Sequence, residues 1–127
     1  MTSLKLMYVD DEPDIREVAA FAFELDPAIE CRAHPSGAAA LEALATDPWR
    51  PQVILLDVMM PDMDGPTTLD RIRGTAGLEN TPAIFITARA QPQERAAFIA
   101  RGAVGVITKP FDPMTLASDV RSIIAGA

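Results

Sequence analysis

Five apolar, strand-like runs alternate with five stretches of helical spacing along the chain, and three of those runs end in a charge or lead directly into one. The runs are residues 4–9, 29–33, 52–57, 83–87 and 104–108. From Pro13 to Leu25, the residues Ile15, Val18, Ala19, Ala22 and Leu25 recur at helical spacing. Pro13 suits a first helical turn, where its missing N–H has no partner to lose. Ser36 is placed to cap a helix through Thr46 that buries Leu41 and Leu44. Gly65 to Arg73 offers Leu69 and Ile72. Pro92 to Arg101 offers Phe98 and Ile99, and Gly102 is placed to end it. Asp112-Pro113 opens a last helix with Leu116, Val120 and Ile123 or Ile124 inward. Strand-helix alternation of this kind predicts a parallel sheet with helices on both faces. Right-handed crossovers narrow it to a doubly wound α/β sheet. The runs Val53-Ile54-Leu55-Leu56 and Ala83-Ile84-Phe85-Ile86 are apolar throughout, as strands covered on both faces should be.

The charges at the strand ends carry the functional reading. Asp57 follows four aliphatic residues and precedes the turn-forming Pro61-Asp62-Met63-Asp64-Gly65. A core has no use for an unpaired carboxylate, so its place is the strand's mouth. Asp10 and Asp11 follow the first run, and Lys109 follows the fifth. In an open α/β sheet these carboxyl ends share one edge, where ligands bind. Two carboxylates about 4 Å apart repel by roughly 4 kcal/mol at an effective dielectric near 20. Three need a proton, a positive side chain or a metal, and hard oxygen donors suit Mg²⁺. Thr87 ends the fourth run with a hydroxyl at the same edge, followed by the small Ala88. A carboxylate nucleophile beside Mg²⁺, a lysine and a hydroxyl has the parts to accept a phosphoryl group as an acyl phosphate. Glu12 and Asp14 read instead as helix N-terminal acids complementing the dipole.

At 127 residues the chain fits one domain, residues 1–127. Its formal net charge of -7 argues against a direct nucleic-acid face. One cysteine excludes an internal disulfide; Cys31 reads as a small, half-buried hydrophobe. The start at Met1-Thr2-Ser3-Leu4-Lys5 shows no signal-peptide pattern, and no stretch nears the roughly 20 apolar residues of a membrane span. A cytoplasmic protein without membrane insertion is expected. His34, the single histidine, reads as a solvated loop residue away from the acids, and Trp49 as the cover of a helix-to-strand loop. Phe98, Phe111 and the methionines read as core, Val104 as core and Val106 as exposed strand face. No Gly-rich phosphate loop supports nucleotide binding.

Val9-Asp10-Asp11-Glu12-Pro13-Asp14, Leu55 to Gly65, Ile86-Thr87-Ala88 and Thr108-Lys109-Pro110-Phe111 stand in order, each at a strand end. Together they resemble the receiver domain of two-component response regulators over essentially the whole length. The resemblance implies a flavodoxin-like, five-stranded parallel sheet of order 2-1-3-4-5 with five helices. It implies that Asp57 accepts phosphate from a phosphohistidine on a sensor kinase or phosphotransfer protein. Asp11 and Asp57 would bind Mg²⁺ directly with the backbone carbonyl of Met59, and Asp10 mainly through metal-bound water. Thr87 and Lys109 would bind the phosphoryl group, and Lys109-Pro110 would be cis. The position three before the lysine, often aromatic in such proteins, is Val106 here. Either another side chain transmits the signal or the conformational change is muted.

The expected function is therefore a stand-alone, single-domain response regulator. It would switch its affinity for a downstream protein or relay phosphate onward, as a monomer or a phosphorylation-dependent dimer. It would be a signalling phosphoacceptor and not an enzyme. An Asp-based phosphohydrolase is the first rival, but such enzymes need a second acid where Met59 stands. A flavin-binding module and a fragment of a longer regulator are the others.

Overall fold

The alternation of apolar runs and helical segments becomes ten elements in strict order. They are β1 (Leu4–Val9), α1 (Pro13–Glu24), β2 (Ile29–His34), α2 (Gly37–Thr46), β3 (Val53–Asp57), α3 (Gly65–Ile72), β4 (Ala83–Thr87), α4 (Pro92–Ala100), β5 (Gly105–Thr108) and α5 (Leu116–Ala125). The computed structural model describes residues 2–126. The strands form one parallel sheet in the order β2-β1-β3-β4-β5. That is the order the resemblance implied.

Side-chain alternation sends each strand's residues to two cores. Leu6 and Tyr8 of β1 and Leu55 of β3 pack with Ala19, Ala22 and Phe23 of α1 and Leu116 and Val120 of α5. Met7 and Val9 of β1 and Ile54 and Leu56 of β3 pack with Leu44 of α2 and Leu69 and Ile72 of α3, with Phe98 of α4 against them. Every residue of β3 and β4 is buried. Each large aliphatic side chain so placed contributes about 2 kcal/mol.

Local chemistry sets the element ends. Ser36 accepts from the Ala39 N–H at 3.0 Å and Asp64 from the Thr67 N–H at 2.8 Å, capping α2 and α3. Gly102, at φ +102°, ends α4 in the left-handed conformation glycine tolerates. Several boundaries differ from the sequence reading: the third strand begins at Val53, not at 52, and α1, α3 and α4 each end one residue earlier, at Glu24, Ile72 and Ala100. The fifth strand begins at Gly105, not at 104. A Cβ at Gly105 would lie 2.6 Å from Ile123 Cγ2, so α5 crosses too close for a larger residue. The second strand runs on to His34, which is half-buried and whose carbonyl accepts from the Asp10 N–H at 3.2 Å. It is not a loop residue. The last helix opens at Leu116 and not at Pro113; residues 113–115 first make a turn, with the Thr115 and Leu116 N–H groups on the Asp112 carbonyl.

Some burial assignments also change. On α1 the small Ala19 and Ala22 let the helix approach the sheet with Phe23, which leaves Val18 and Leu25 exposed. Ile99 on α4 is exposed as well. Val106 is buried rather than exposed, and Val104 is only partly covered. Val106 pairs with Phe85 inside the sheet. Met7 and Met60 are core, but Met59 and Met114 lie on the surface. Trp49 does cover the loop before β3, with the Arg32 guanidinium 4.6 Å over its ring.

Candidate acidic site at the carboxyl edge of the sheet

The parallel topology brings four strand ends to one edge. Asp10 directly follows β1, Asp57 ends β3, Thr87 ends β4 and Lys109 directly follows β5. Hydrogen bonds join these ends: Val58 N–H donates to Ile86 O at 3.0 Å and Lys109 N–H to Thr87 O at 2.8 Å. Asp57 is 4% exposed and Asp10 0%, so both carboxylates are held in the protein and depend on its partners.

Lys109 is the central partner. Its Nζ lies 3.0 Å from Asp10 Oδ2, 3.0 Å from Glu12 Oε1 and 3.2 Å from Asp57 Oδ2. Its peptide bond to Pro110 is cis. Asp10 has further donors: Tyr8 OH to Oδ2 at 3.0 Å, and the Glu12 N–H to Oδ1 at 3.0 Å. Arg16 Nη1 donates to the Asp10 carbonyl at 2.8 Å. Thr87 Oγ1 accepts from the Arg89 N–H at 3.0 Å, which orients the hydroxyl at the start of the following loop.

The loop after β3 is shaped by close approach. Gly65 N–H donates to Val58 O at 2.9 Å, and a Cβ at Gly65 would stand 2.5 Å from the Asp57 carbonyl oxygen. Glycine is required there by contact, while Asp62 takes the left-handed φ of 69°. Asp57, Val58, Met59, Thr87, Ala88, Arg89 and Lys109 line one cleft, open to solvent, with Glu12, Glu94 and Phe98.

The electrostatics leave this edge short of positive charge. Burial, and next the Asp10 charge, push the Asp57 carboxyl up to about 6, with Lys109 opposing. Burial favours the neutral amine of Lys109, but its hydrogen bonds to Asp10 and Glu12 outweigh that and hold it charged. Asp10, Asp11 and Asp57 each offer a carboxylate oxygen, and these oxygens lie within 4.8 Å of one another. Few, hard, negatively charged donors at an open edge fit Mg²⁺, which keeps several waters. One lysine shared among three carboxylates leaves uncompensated charge for a cation to take up.

The structure thus brings Asp10, Asp11, Asp57 and Lys109 into one cluster, with Thr87 on the same cleft. Met59 lines the cleft with its side chain 79% exposed. Two partners were missed. Glu12, assigned only to the helix dipole, also pairs with Lys109. Tyr8 stands two residues before Asp10, and strand periodicity alone places both on one face.

An open, doubly wound sheet with three acids and a lysine at its carboxyl edge defines a receiver-type α/β domain. The chain belongs to the response regulator receiver domain family, whose pattern it matches over residues 6–121. It is 33% identical to the response regulator Rre1 of Synechocystis over 96% of this chain and 52% of that protein. It is 34% identical to the transcriptional regulatory protein CseB of Streptomyces coelicolor over 94% of this chain and 48% of that protein. The chain therefore spans about half the length of these two relatives. Among solved structures, chemotaxis protein CheY4 of Vibrio cholerae superposes with a TM-score of 0.85 at 29% identity, covering 96% of this chain and 99% of that one. The chain is thus a receiver domain of the two-component response regulators. Among the described residues no helix is long and apolar enough to cross a membrane.

Proposed function

We propose that Asp57 is the phosphoacceptor of this receiver, taking a phosphoryl group from a phosphohistidine on a sensor kinase or histidine phosphotransfer protein. The observation that carries it is the convergence of Asp10, Asp11, Asp57 and Lys109 where β3 opens into the cleft. An Asp57 carboxylate oxygen attacks phosphorus, the P–N bond breaks, and the imidazole leaves with the bonding pair and regains a proton from water. Lys109 neutralises charge on the phosphoryl oxygens. Thr87 donates its hydroxyl to the group from β4. Asp11, Asp57 and the Met59 carbonyl would hold Mg²⁺, with Asp10 acting through its water. When bound there, the cation would supply charge neutralisation at the phosphoryl oxygens.

The domain acts as a signalling phosphoacceptor rather than as an enzyme on small substrates. Likeness to CheY4 along nearly all of both chains supports reading 1–127 as one receiver working as a single-domain switch, and membership of the receiver family supports a cytoplasmic place for it. Its output is a changed affinity for a downstream protein, or onward transfer of phosphate. Dimerisation on phosphorylation is read by sedimentation with and without beryllofluoride.

Incubation with acetyl phosphate and Mg²⁺, followed by intact mass, tests the reading. One added phosphoryl group, absent in Asp57→Ala and absent without Mg²⁺, is the expected result. No labelling, with phosphate released from small esters instead, would replace it with the hydrolase.

A further inference from the structure

Tyr8 is the one tyrosine of the chain. Its side chain is 0% exposed, on the α1 and α5 side of the sheet, with the Phe23 ring edge-on at 6.4 Å. A phenol taken out of water needs an acceptor. Tyr8 finds a charged one, Asp10 Oδ2, at 3.0 Å. The same oxygen takes Lys109 Nζ at 3.0 Å, and Oδ1 takes the Glu12 N–H at 3.0 Å. A carboxylate has about four acceptor positions. Three are filled by this chain, and together they fix the plane of the group.

We propose that Tyr8 is a positioning residue for the cation site, its O–H holding the Asp10 carboxylate so that one acceptor position stays free for the hydrated cation while Lys109 is released to an incoming phosphoryl group. The inference rests on the reading of Asp10, Asp11 and Asp57 as a Mg²⁺ site. Lys109 is shared among three carboxylates and must turn from them toward phosphate. When it does, Asp10 Oδ2 keeps the Tyr8 donor. Without the phenol, that buried oxygen has Lys109 alone, and leaving it bare is costly. Asp10 would then both swivel and hold the lysine back.

Tyr8→Phe keeps the ring against Phe23 and removes only the donor. Mg²⁺ binding by calorimetry is expected to weaken about tenfold, the usual effect of losing a partner that orients a ligand. Labelling by acetyl phosphate at saturating Mg²⁺ is expected to slow as well. A second readout needs no turnover. The single phenol should shift its near-ultraviolet absorbance when Mg²⁺ is added to the wild type, because its acceptor changes charge density. Phe23→Leu is the packing control, with a lower Tm and an unchanged Mg²⁺ Kd expected. Equal Mg²⁺ affinity in wild type and Tyr8→Phe, or equal weakening in Phe23→Leu, overturns the role of Tyr8 alone. A wild type that binds no Mg²⁺ overturns the site reading beneath it.

Discussion

Asp57 holds its charge against its surroundings, and that tension makes predictions at the scale of single residues. Its carboxyl is raised to about 6, first by burial and then by Asp10. A raised acid binds its proton more readily folded than unfolded, so stability is fullest below the ordinary aspartate value and is lost as pH rises to about 6. Metal-free protein should lose roughly 2–3 kcal/mol from this group between about pH 4 and 6, and no more above. Urea denaturation in chelator, compared between wild type and Asp57→Asn, isolates the effect, since the slope belonging to Asp57 vanishes in the variant. Asp26 works the other way. The Arg121 hydrogen bond holds its carboxyl below the usual range, so its contribution is lost only as pH falls below about 4. Asp57→Asn should also be more stable than wild type at pH 7, by roughly 1–3 kcal/mol, because Lys109 keeps Asp10 and Glu12 as partners. The same variant should take up no phosphoryl group. Equal or lower stability would show that Lys109, and not repulsion, dominates at Asp57.

At the scale of elements, the β3–α3 junction is the least forgiving part of the site. A methyl at Gly65 meets the backbone of Asp57, which has no side-chain freedom to yield. Gly65→Ala should destabilise by about 1–3 kcal/mol and displace Asp57, slowing acetyl phosphate labelling. Labelling at the wild-type rate, with only stability lost, would show that the strain relaxes away from β3. Across the cleft, Arg89 follows Thr87 and its guanidinium pairs loosely with Glu94 at 3.4 Å, mostly in solvent. Arg89→Ala should change the lifetime of the acyl phosphate by a few-fold while leaving stability within about 0.5 kcal/mol. The half-life after removal of the donor measures it. Element types were legible because periodicity is local: 83–86 and 53–56 are unbroken apolar runs, and Ser36 is a cap by side-chain type. Element ends were less so. The first residue of β5, Gly105, lies where a side chain would meet Ile123 of α5, and the start of α5 follows a turn built on one carbonyl.

At the scale of the whole molecule, a cation held by Asp10, Asp11 and Asp57 would tie the end of β1 to the end of β3, so its binding should stabilise the fold. At ten times its Kd, Mg²⁺ should add about 1.4 kcal/mol, a rise of several degrees in Tm. Asp11→Ala should lose that rise, which differential scanning calorimetry reads directly. The order of apolar runs and helical spacings by itself determined a doubly wound parallel sheet. It also determined that Asp10, Asp11, Asp57, Thr87 and Lys109 lie at one edge, because every parallel strand ends on the same side. Tertiary structure alone decided which of these groups touch. Glu12 was readable as a helix-dipole acid, yet its reach to Lys109 spans the two ends of the chain. Val106 was readable as a strand residue, yet its burial depends on how β5 lies beside β4 and α4. Periodicity assigns a side chain to a face; only packing between distant elements sets its depth and its partner, and those two quantities set the charge on Asp57.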